Sequence, residues 1–410
     1  MMNKRQTLTL VQLCGILLLC DVQCKPTRRL TGQKLQPFLA RACNRVSLGV
    51  YEEVATNNNN VVFSPISICT LLAVCVRGAS DKTLVELRKS LFLELVDKRE
   101  MSSVYGAVYR SFVQDPSVNI STTNIMIVNQ NFQLVDRTVQ DYQQTFNGTL
   151  LEFDPEMKSE VSTSINNMLS FATGGMVKGK LSADDITSDQ ALYLFNTLYM
   201  SARWRDQFFT METRQQKFYL DGNTHIMVPT MHKRGNYRWN KNTKLGFDML
   251  ELPYEGNRFA TYIILPREKD GLARLEKVLT PERTLRLEKA ITNMKKAAKT
   301  EVRLCYVILT NDLNTRALKA MGVEHGFTNT AEFPSLFTDT LPITVSNVIH
   351  KTCIEVNEEG TEAAAATGMI MMLFCMPHSI YNFVADHPFL YFIAHNKKSI
   401  LFLGTFCTEA

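Results

Sequence analysis

The sequence lacks the residue patterns from which metal centres and common catalytic sites are built. Its seven histidines include no pair at the spacing of about three or four residues that places two ligands on one helix face. It has no Gly-x-Ser-x-Gly motif, and its nearest phosphate-loop match, 174–181, ends in Leu181 where a magnesium-binding Ser or Thr is needed. We therefore expect no metal, no cofactor and no catalytic residue, so the chain is not expected to be an enzyme.

Long apolar runs are also scarce. The longest one, 8–19, is interrupted by Gln12 and is shorter than the roughly 20 residues that a membrane-spanning helix needs. The chain as a whole is 45% apolar and 21% charged, which is typical of a globular protein with a large buried core. We expect neither a membrane span nor a disordered chain.

Positive charge is concentrated in one short region only. We interpret this region as a solvent-exposed helix face, with a weak glycosaminoglycan contact as the alternative. No aromatic residue lies among these cations, so nucleic-acid binding is not expected. The residues concerned are Lys289, Lys295, Lys296, Lys299 and Arg303.

The first residues have the pattern of a secretory leader. Lys4 and Arg5 precede the apolar stretch 8–19, and Cys24 precedes a basic segment. We predict a signal peptide at 1–24, cut after Cys24, and a secreted, monomeric chain of residues 25–410. The leader removes two cations and one anion, so the formal net charge falls from +5 to +4.

Cysteine and the short glycosylation motifs agree with that location. Ten cysteines are present, three of them in the leader, and the remaining seven cannot all pair within one chain. Since their spacing is irregular and the core is large, we expect most of the seven to be small buried side chains. Asn119-Ile120-Ser121 and Asn147-Gly148-Thr149 match the acceptor motif, so Asn119 and Asn147 are the predicted glycosylation sites.

The hydrophobic patterns predict helices early in the chain and strands later. Helical spacing marks 39–54, the segment that starts at Ser64-Pro65, and 158–171. Apolar or alternating runs predict strands at 61–63, 191–200, 247–252, 260–265, 302–309, 389–393 and 400–406, the last two forming a hairpin closed by 395–399. The predicted class is α+β, a single domain with helices packed on large, mainly antiparallel sheets.

An unusual segment at about 358–380 interrupts this strand-rich half. It contains four consecutive alanines after Glu362, which helix propensity alone would make a short helix. A strand-like run at 353–356 precedes the segment and two strong strands follow it, which favours a long tether of small residues between parts of a sheet.

Here the sequence resembles the serpins, a family of serine protease inhibitors. The segment 359–367 resembles the hinge of inhibitory members, and other family blocks follow in the same order along the chain. These blocks are Val61-Val62-Phe63-Ser64-Pro65-Ile66-Ser67, Asn196 with Trp204, Leu250-Glu251-Leu252-Pro253-Tyr254, and Asp386-His387-Pro388-Phe389-Leu390. The resemblance covers nearly all of the chain after the leader.

The resemblance implies an exposed reactive-centre loop that inserts into the main sheet once a protease cuts it. The small hinge residues make this physically reasonable, because alternation along a strand would turn Thr361, Ala363 and Ala365 inward and Glu362 toward water. A proline or a charge at Thr361 or Ala363 would impede entry into a central strand. The hinge residues are Glu359, Gly360, Thr361, Glu362, Ala363, Ala364, Ala365, Ala366 and Thr367.

The family's spacing from Gly360 places the bait bond between Phe374 and Cys375. Phe374 suits a deep apolar specificity pocket, so the expected partner is a chymotrypsin-like serine protease such as chymase or cathepsin G. Met372, Leu373 and Met376 flank the bond, and a cut after Leu373 would also admit elastase-like enzymes. The inhibitor itself supplies no catalytic residue.

The resemblance also assigns roles outside the loop. Ser64, Ser67, Asn196 and His350 match a polar cluster beneath the point where the sheet opens, and Trp204 matches an aromatic residue at the loop's entry. The departures from the family pattern, namely Arg77, Met200-Ser201-Ala202 and Leu304-Cys305-Tyr306, put local turns in doubt.

Two rival functions remain at this stage. One is a non-inhibitory serpin that acts as a carrier or a storage protein. The other is cross-class inhibition of papain-like cysteine proteases, which also accept apolar residues near the cut.

Overall fold

Two β-sheets organise the part of the chain that the computed structural model describes. The described residues are 35–55, 59–172, 175, 181–186, 191–313, 315–328, 330–338, 345–361 and 380–408. The predicted leader 1–24, the hinge residues 362–367 and the bait residues Met372, Leu373, Phe374, Cys375 and Met376 lie outside them.

The helices form where the sequence has a periodic apolar face and a capping residue. Ser64 begins the most buried helix, because its hydroxyl accepts a hydrogen bond from the backbone N–H of Ser67 and Pro65 occupies the first helical turn. The α-helices are α1 Leu35–Val54, α2 Pro65–Gly78, α3 Asp81–Ser90, α4 Lys98–Val113, α5 Asp136–Phe146, α6 Lys158–Ala172, α7 Leu272–Glu276, α8 Thr284–Thr292 and α9 Thr315–Ala320. Short 3₁₀ turns lie at Ala183–Asp185, Thr210–Glu212, Glu255–Asn257, Pro281–Arg283 and His325–Phe327.

The strands account for most of the second half of the chain. They are β1 Val61–Phe63, β2 Asn119–Asn129, β3 Thr149–Phe153, β4 Leu192–Arg203, β5 Arg214–Tyr219, β6 His225–Asn242, β7 Phe247–Pro253, β8 Phe259–Pro266, β9 Ala298–Cys305, β10 Val307–Leu313, β11 Val345–Val356, β12 Gly360–Thr361, β13 Tyr381–Ala385, β14 Phe389–His395 and β15 Ser399–Phe406. The β14–β15 hairpin forms as predicted.

The strands assemble into a main sheet of six strands, in the order β10-β11-β12-β4-β2-β3, and a second sheet of nine. The nine-stranded sheet runs β1-β15-β14-β8-β7-β6-β9-β13, with β5 paired to β6. Most pairs are antiparallel, and the parallel ones are β4–β11, β2–β3 and β9–β13. The predicted α+β class is therefore confirmed, with sheets that are mixed but mainly antiparallel.

Helix α2 connects the two sheets. It contacts α1 and α4 on its helical side, β4 and β11 of the main sheet, and β15 of the nine-stranded sheet. Nearly all of its residues are buried, which explains why its sequence is apolar all round. The central core of the molecule therefore lies around α2.

Two predictions from the sequence were wrong in detail. The predicted strand 302–309 is two strands, β9 and β10, which belong to different sheets and are separated at Tyr306. The basic region is not a helix face either, because only Lys289 lies on α8 while Lys299 and Arg303 lie on β9. Helical spacing of cations is therefore misleading where a helix ends in the middle of the run.

The departures from the family pattern leave the local structure intact. Residues 200–202 continue β4, where Ser201 pairs with Asn119 of β2. Arg77 lies in the last turn of α2 and its guanidinium is 3.7 Å from a carboxylate oxygen of Asp141. The hydroxyl of Tyr306 donates to Glu355 Oε1 at 2.7 Å.

Buried cysteines follow the prediction. The free, buried ones are Cys43, Cys69, Cys75, Cys305 and Cys407. Burial raises the pKa of Cys75 to about 12, as expected of an inert thiol in an apolar setting. None of the helices in the described ranges combines the length and the apolar character needed to cross a bilayer.

Candidate functional site

The centre of the main sheet is closed by a parallel pair of strands. β4 and β11 pair directly from Leu192 with Val345 to Tyr199 with Cys353, and we call this line of pairing the seam. An additional strand could enter here only if the seam hydrogen bonds separated and re-formed on both of its sides. The seam is therefore the part of the sheet that loop insertion would have to open.

One end of the seam already holds the beginning of another strand. In β12, Gly360 pairs with Arg203 and Thr361 with Ala202, both in β4, and Thr361 also pairs with Val356 of β11. β12 thus lies between the two strands, directly before the segment that the sequence identifies as bait. The side chain of Thr361 is fully buried.

Glycine is required at residue 360 because the backbone of β4 approaches it closely. A Cβ atom built on Gly360 would lie 1.9 Å from the carbonyl oxygen of Ala202 and 2.7 Å from the Cα of Arg203. Neither atom belongs to a flexible side chain. Any other residue would therefore push β12 away from β4.

A tight turn centred on Asn357 brings β12 back between the strands. Its side-chain oxygen accepts hydrogen bonds from the backbone N–H groups of Glu359 and Gly360, both at 3.1 Å. Its own backbone N–H donates to the Gly360 carbonyl at 2.9 Å. Asn is a residue that satisfies such a turn with its own side chain. The turn fixes where the loop leaves the sheet.

Trp204 and Tyr254 form the wall against which this turn packs. The two rings stack with centroids 4.5 Å apart and planes 9° from parallel. The indole N–H of Trp204 donates to the Asn357 carbonyl at 2.9 Å, and its backbone N–H donates to the Glu359 carbonyl at 2.8 Å. Trp204 is therefore bonded to both ends of the turn that precedes β12. We call Trp204, Tyr254 and Asn357 the hinge site.

A second group of polar side chains crosses the seam halfway along. His350 on β11 lies opposite Asn196 on β4, and its Nδ1 is 2.9 Å from Asn196 Oδ1. Its Nε2 accepts the backbone N–H of Ser64 at 2.9 Å and lies 2.6 Å from the Thr352 hydroxyl. Since Nε2 accepts, the neutral ring carries its proton on Nδ1 and donates it to Asn196.

The same network continues into β2. Asn196 Nδ2 donates to Asn124 Oδ1 at 2.7 Å, and Asn124 Nδ2 donates to the Phe146 carbonyl at 2.8 Å. We call His350, Asn196, Asn124 and Thr352 the seam network. A single hydrogen bond of the network, between His350 and Asn196, spans the seam itself.

The electrostatics of the network favour an uncharged imidazole. Burial without a counter-ion lowers the pKa of His350 to about 3, since desolvation disfavours the charged ring. The residues it contacts, Ser64, Thr352 and Asn196, are uncharged. The ring is therefore neutral at physiological pH and acts as a hydrogen-bonding element of the sheet.

The structure brings together Ser64, Asn196 and His350, as the resemblance implied. Ser67 lies in the first turn of α2, where its backbone N–H donates to the Ser64 hydroxyl at 3.4 Å. Asn119 and Asn147, the predicted glycosylation sites, are both exposed, at the start of β2 and just after α5.

Sequence reasoning missed several residues of the site. Tyr254 was recognised only as part of a family block, and Asn357, Asn124 and Thr352 were not selected. Asn357 had a readable signal, since Asn directly before Glu-Glu-Gly is typical of a turn. The other residues join the site through tertiary contacts only.

No metal or ligand site is apparent in the described part of the chain. It contains no group of three or more His, Cys, Asp or Glu side chains placed to bind a metal. A cavity of about 220 Å³ lies beside β13, lined in part by Asp248, Arg267, Tyr381 and His387. Tyr381 and Arg267 both donate to Asp248, and His387 Nε2 contacts the Pro266 carbonyl, so these groups satisfy one another.

Comparison with known proteins agrees with this architecture. Iripin-8 of Ixodes ricinus is 31% identical over 386 residues, which cover 89% of this chain and 92% of that protein. Neuroserpin of Mus musculus is 30% identical over 356 residues and covers 85% of each chain. A solved structure of Serpin48, a highly specific serpin in the insect Tenebrio molitor, has a TM-score of 0.81 and 24% identity over 93% of this chain and 100% of its own.

The family comparison extends over almost the whole described region. A family model described as "Serpin (serine protease inhibitor)" matches residues 41–408, which include β12, the hinge site, the seam network and the bait segment. The chain belongs to the serpin family.

Proposed function

We propose that this serpin is a secreted suicide-substrate inhibitor of chymotrypsin-like serine proteases. The observation that carries the proposal is β12, a strand that begins between β4 and β11 at the exact start of the small-residue segment. The small residues that follow Thr361 could continue this strand, which favours inhibition over a carrier or storage role.

The chemistry follows from the attack of a protease on the bait bond. The protease serine Oγ adds to the carbonyl carbon of Phe374, the bond to the nitrogen of Cys375 breaks, and the serine proton passes to the new amine. An ester then links the protease to Phe374, while Cys375 stays on the C-terminal part that contains β13. Residues from 362 onward are now free to extend β12 along the opened seam, which would carry the attached protease with them.

The free energy of insertion is large enough to do this. About thirteen residues, 362–374, would gain ladder hydrogen bonds of about 0.5–1.5 kcal/mol each, or roughly 10 kcal/mol in total. That is comparable with the free energy of unfolding of a whole domain, about 5–15 kcal/mol. The uncut state must therefore persist for kinetic reasons, and the seam is the barrier.

The bait residues determine the target class. Phe374, flanked by Leu373 and Met372, suits an apolar specificity pocket, and Met376 follows on the other side of the cut. Proteases of the chymase or cathepsin G type fit this pattern. A glycosaminoglycan contact would use the exposed Lys299 and its neighbours on and before β9.

The proposal of secretion depends on the predicted leader 1–24. The mature chain, 25–410, would then form one domain. The exposure of Asn119 and Asn147 supports glycosylation, since a glycan needs a solvated acceptor. Expression in a secreting cell line, followed by glycosidase treatment of the medium fraction, tests both. A protein that stays inside the cells without any mobility shift would contradict this part of the proposal.

The function is tested by mixing the purified protein with chymotrypsin and separating the products on a denaturing gel. We expect a covalent adduct that survives SDS and heat, and a released C-terminal fragment that begins at Cys375. Chymotrypsin with its active serine blocked is the control and should give no adduct. Clean cleavage near Phe374 without an adduct would contradict inhibition and favour a non-inhibitory role, and an adduct with papain alone would favour cross-class inhibition.

A further inference from the structure

The phenol of Tyr254 contacts Thr361, the last residue of β12. We propose that Tyr254 is a positioning residue that selects a hydroxyl at residue 361 and holds it between β4 and β11, so that insertion starts from a formed strand. The inference rests on the proposed function, because it concerns how fast the cut loop enters the sheet.

The contact is a chain of three buried hydroxyl groups. The Tyr254 oxygen lies 2.7 Å from the Thr361 hydroxyl and 2.8 Å from the Thr261 hydroxyl on β8. A phenol has one proton to donate and lone pairs to accept, so it can serve both threonines at once. Tyr254 and Thr361 are both 0% exposed, and water therefore cannot replace either partner.

The ring is held in place from two sides. Trp204 stacks on its face, and Trp204 is itself bonded to Asn357 and to Glu359 of the turn. Thr261 on β8 anchors the phenol oxygen to the nine-stranded sheet. The phenol is therefore fixed relative to both sheets. Its position is set by these contacts and not by residue 361, so it can hold the side chain of residue 361 in place.

The phenol keeps its proton throughout the physiological range. Burial raises the pKa of Tyr254 to about 12, and the hydrogen bonds from the two threonines lower it only in part. Contact with Thr361 is thus independent of pH near neutrality. The contact with Tyr254 depends instead on whether residue 361 carries a hydroxyl.

This contact matters because insertion competes with hydrolysis of the acyl-enzyme. With Thr361 already paired to Ala202, the next residue has only to pair with the adjacent position of β4. If residue 361 leaves the sheet, a strand end must first be re-formed, and nucleation of ordered structure is slow relative to propagation. Losing one buried hydrogen bond should therefore raise the ratio of cleaved, untrapped inhibitor to trapped protease by on the order of fivefold.

The experiment compares variants that differ only in buried hydroxyl groups. Thr361→Val keeps the shape of residue 361 and removes its hydroxyl, Thr361→Ser restores a hydroxyl, and Tyr254→Phe removes the phenol. Thr405→Val is the matched control, because it removes a buried hydroxyl on β15 that bonds the Asn59 carbonyl and takes no part in the contact with Thr361. The number of inhibitor molecules consumed per chymotrypsin trapped is measured for each, together with amide hydrogen exchange of the uncut protein around residues 357–361.

We expect Thr361→Val and Tyr254→Phe to release about fivefold more cleaved, untrapped inhibitor for each protease trapped, and to exchange faster near residue 361. Thr361→Ser and Thr405→Val should behave like the wild type in both measurements. The double variant Tyr254→Phe with Thr361→Val should be no worse than either single one, since both remove the same contact.

Unchanged trapping and unchanged exchange in both single variants would overturn the proposal. Improved trapping would overturn it as well, because it would mean that the contact restrains the loop. If the wild type forms no adduct at all, the proposed function fails, and hydrogen exchange alone then decides whether Tyr254 holds residue 361.

Discussion

The β14–β15 hairpin and the seam between β4 and β11 are both buried, but they are built from different residues. β14 is buried along its whole length between β15 and β8, and its side chains are almost entirely apolar or aromatic. The ring of Phe392 stacks on Tyr262 with centroids 4.8 Å apart. The seam instead has His350, Asn196 and Thr352 at its middle, all hydrogen-bonded and none more than 1% exposed.

The difference shows which part of the molecule can open. Separating β14 from its neighbours would expose a continuous apolar surface, which costs about 25 cal/mol for each Å². Separating β4 from β11 breaks backbone ladder bonds and the side-chain bond between His350 and Asn196. His350 keeps its hydrogen bond with Ser64, and Asn196 keeps its hydrogen bond with Asn124. An entering strand can replace the broken bonds. Under the proposed function, the seam is therefore the join that opens. We call it the reversible region, and we call the β14–β15 hairpin and its neighbours the permanent region.

The largest effect should come from a change in the permanent region. Phe392 is fully buried, and Phe392→Ala should lower the free energy of unfolding by about 3–5 kcal/mol through lost burial and the cavity left behind. Because this region is the same before and after insertion, urea unfolding of the uncut and the loop-cut protein should shift alike. A shift confined to one of the two forms would contradict the division into permanent and reversible regions.

A somewhat smaller effect is expected where the reversible region begins. Thr361→Arg would place a guanidinium in a fully buried position without a counter-ion, at a cost of at least about 3 kcal/mol. Residue 361 should then stay out of the sheet, and the yield of covalent adduct should fall by about 100-fold or more.

The cut itself serves as the control for this variant. Chymotrypsin should still cleave Thr361→Arg at the bait bond at the wild-type rate, because the change is far from Phe374 in the sequence. Cutting the wild type should greatly increase its resistance to heat, and cutting the variant should not. Equal heat resistance of the two cut proteins would show that the loop enters the sheet elsewhere.

The permanent region was also the part that the sequence predicted best. β14 and β15 follow from two apolar runs and a short polar turn, since local patterns suffice where every side chain points into a core. The helix after Ser64 was equally readable from its cap and Pro65. Such features need no knowledge of distant residues.

The seam and the hinge site depend on residues far apart in the chain. No residue near His350 in the sequence indicates that it faces Asn196, which is 154 residues away. Likewise, no residue near Tyr254 indicates that it contacts Thr361, which is 107 residues away. Only the resemblance to serpins grouped His350 with Asn196 and assigned Trp204 to the loop's entry. The division of the predicted strand at Tyr306 was missed because one apolar run supplies β9 to one sheet and β10 to the other. Hydropathy alone does not indicate where the chain passes from one sheet to the next.

Acid should weaken the seam more than the permanent core, because His350 resists protonation in the folded state. Its folded pKa is about 3 and its ordinary value is 6.5, so below pH 6.5 the unfolded chain takes up a proton that the folded chain does not. The stabilisation is complete above pH 6.5 and declines as the pH falls toward 3. At pH 5 the loss should be about 2 kcal/mol.

The matched variant is His350→Gln, which cannot titrate. Its free energy of unfolding should be lower than that of the wild type at pH 7.5, and the difference between the two proteins should shrink by about 2 kcal/mol at pH 5. Urea unfolding at a series of pH values measures it. A difference that stays constant from pH 7.5 to 5 would mean that His350 is not the group responsible.

The smallest effect should come from the indole of Trp204, which joins the turn of the hinge site to β4. Trp204→Phe keeps an aromatic ring against Tyr254 but removes the N–H that donates to the Asn357 carbonyl, so the uncut protein should lose about 1 kcal/mol. The chain has two tryptophans, so Trp239→Phe is both the control and a protein whose fluorescence reports on Trp204 alone. In that protein the emission should change when the loop is cut, because β12 then continues past the indole. If the emission of Trp204 did not change when the loop is cut, the hinge site would lie outside the path of insertion. The seam would then have to open from its other end.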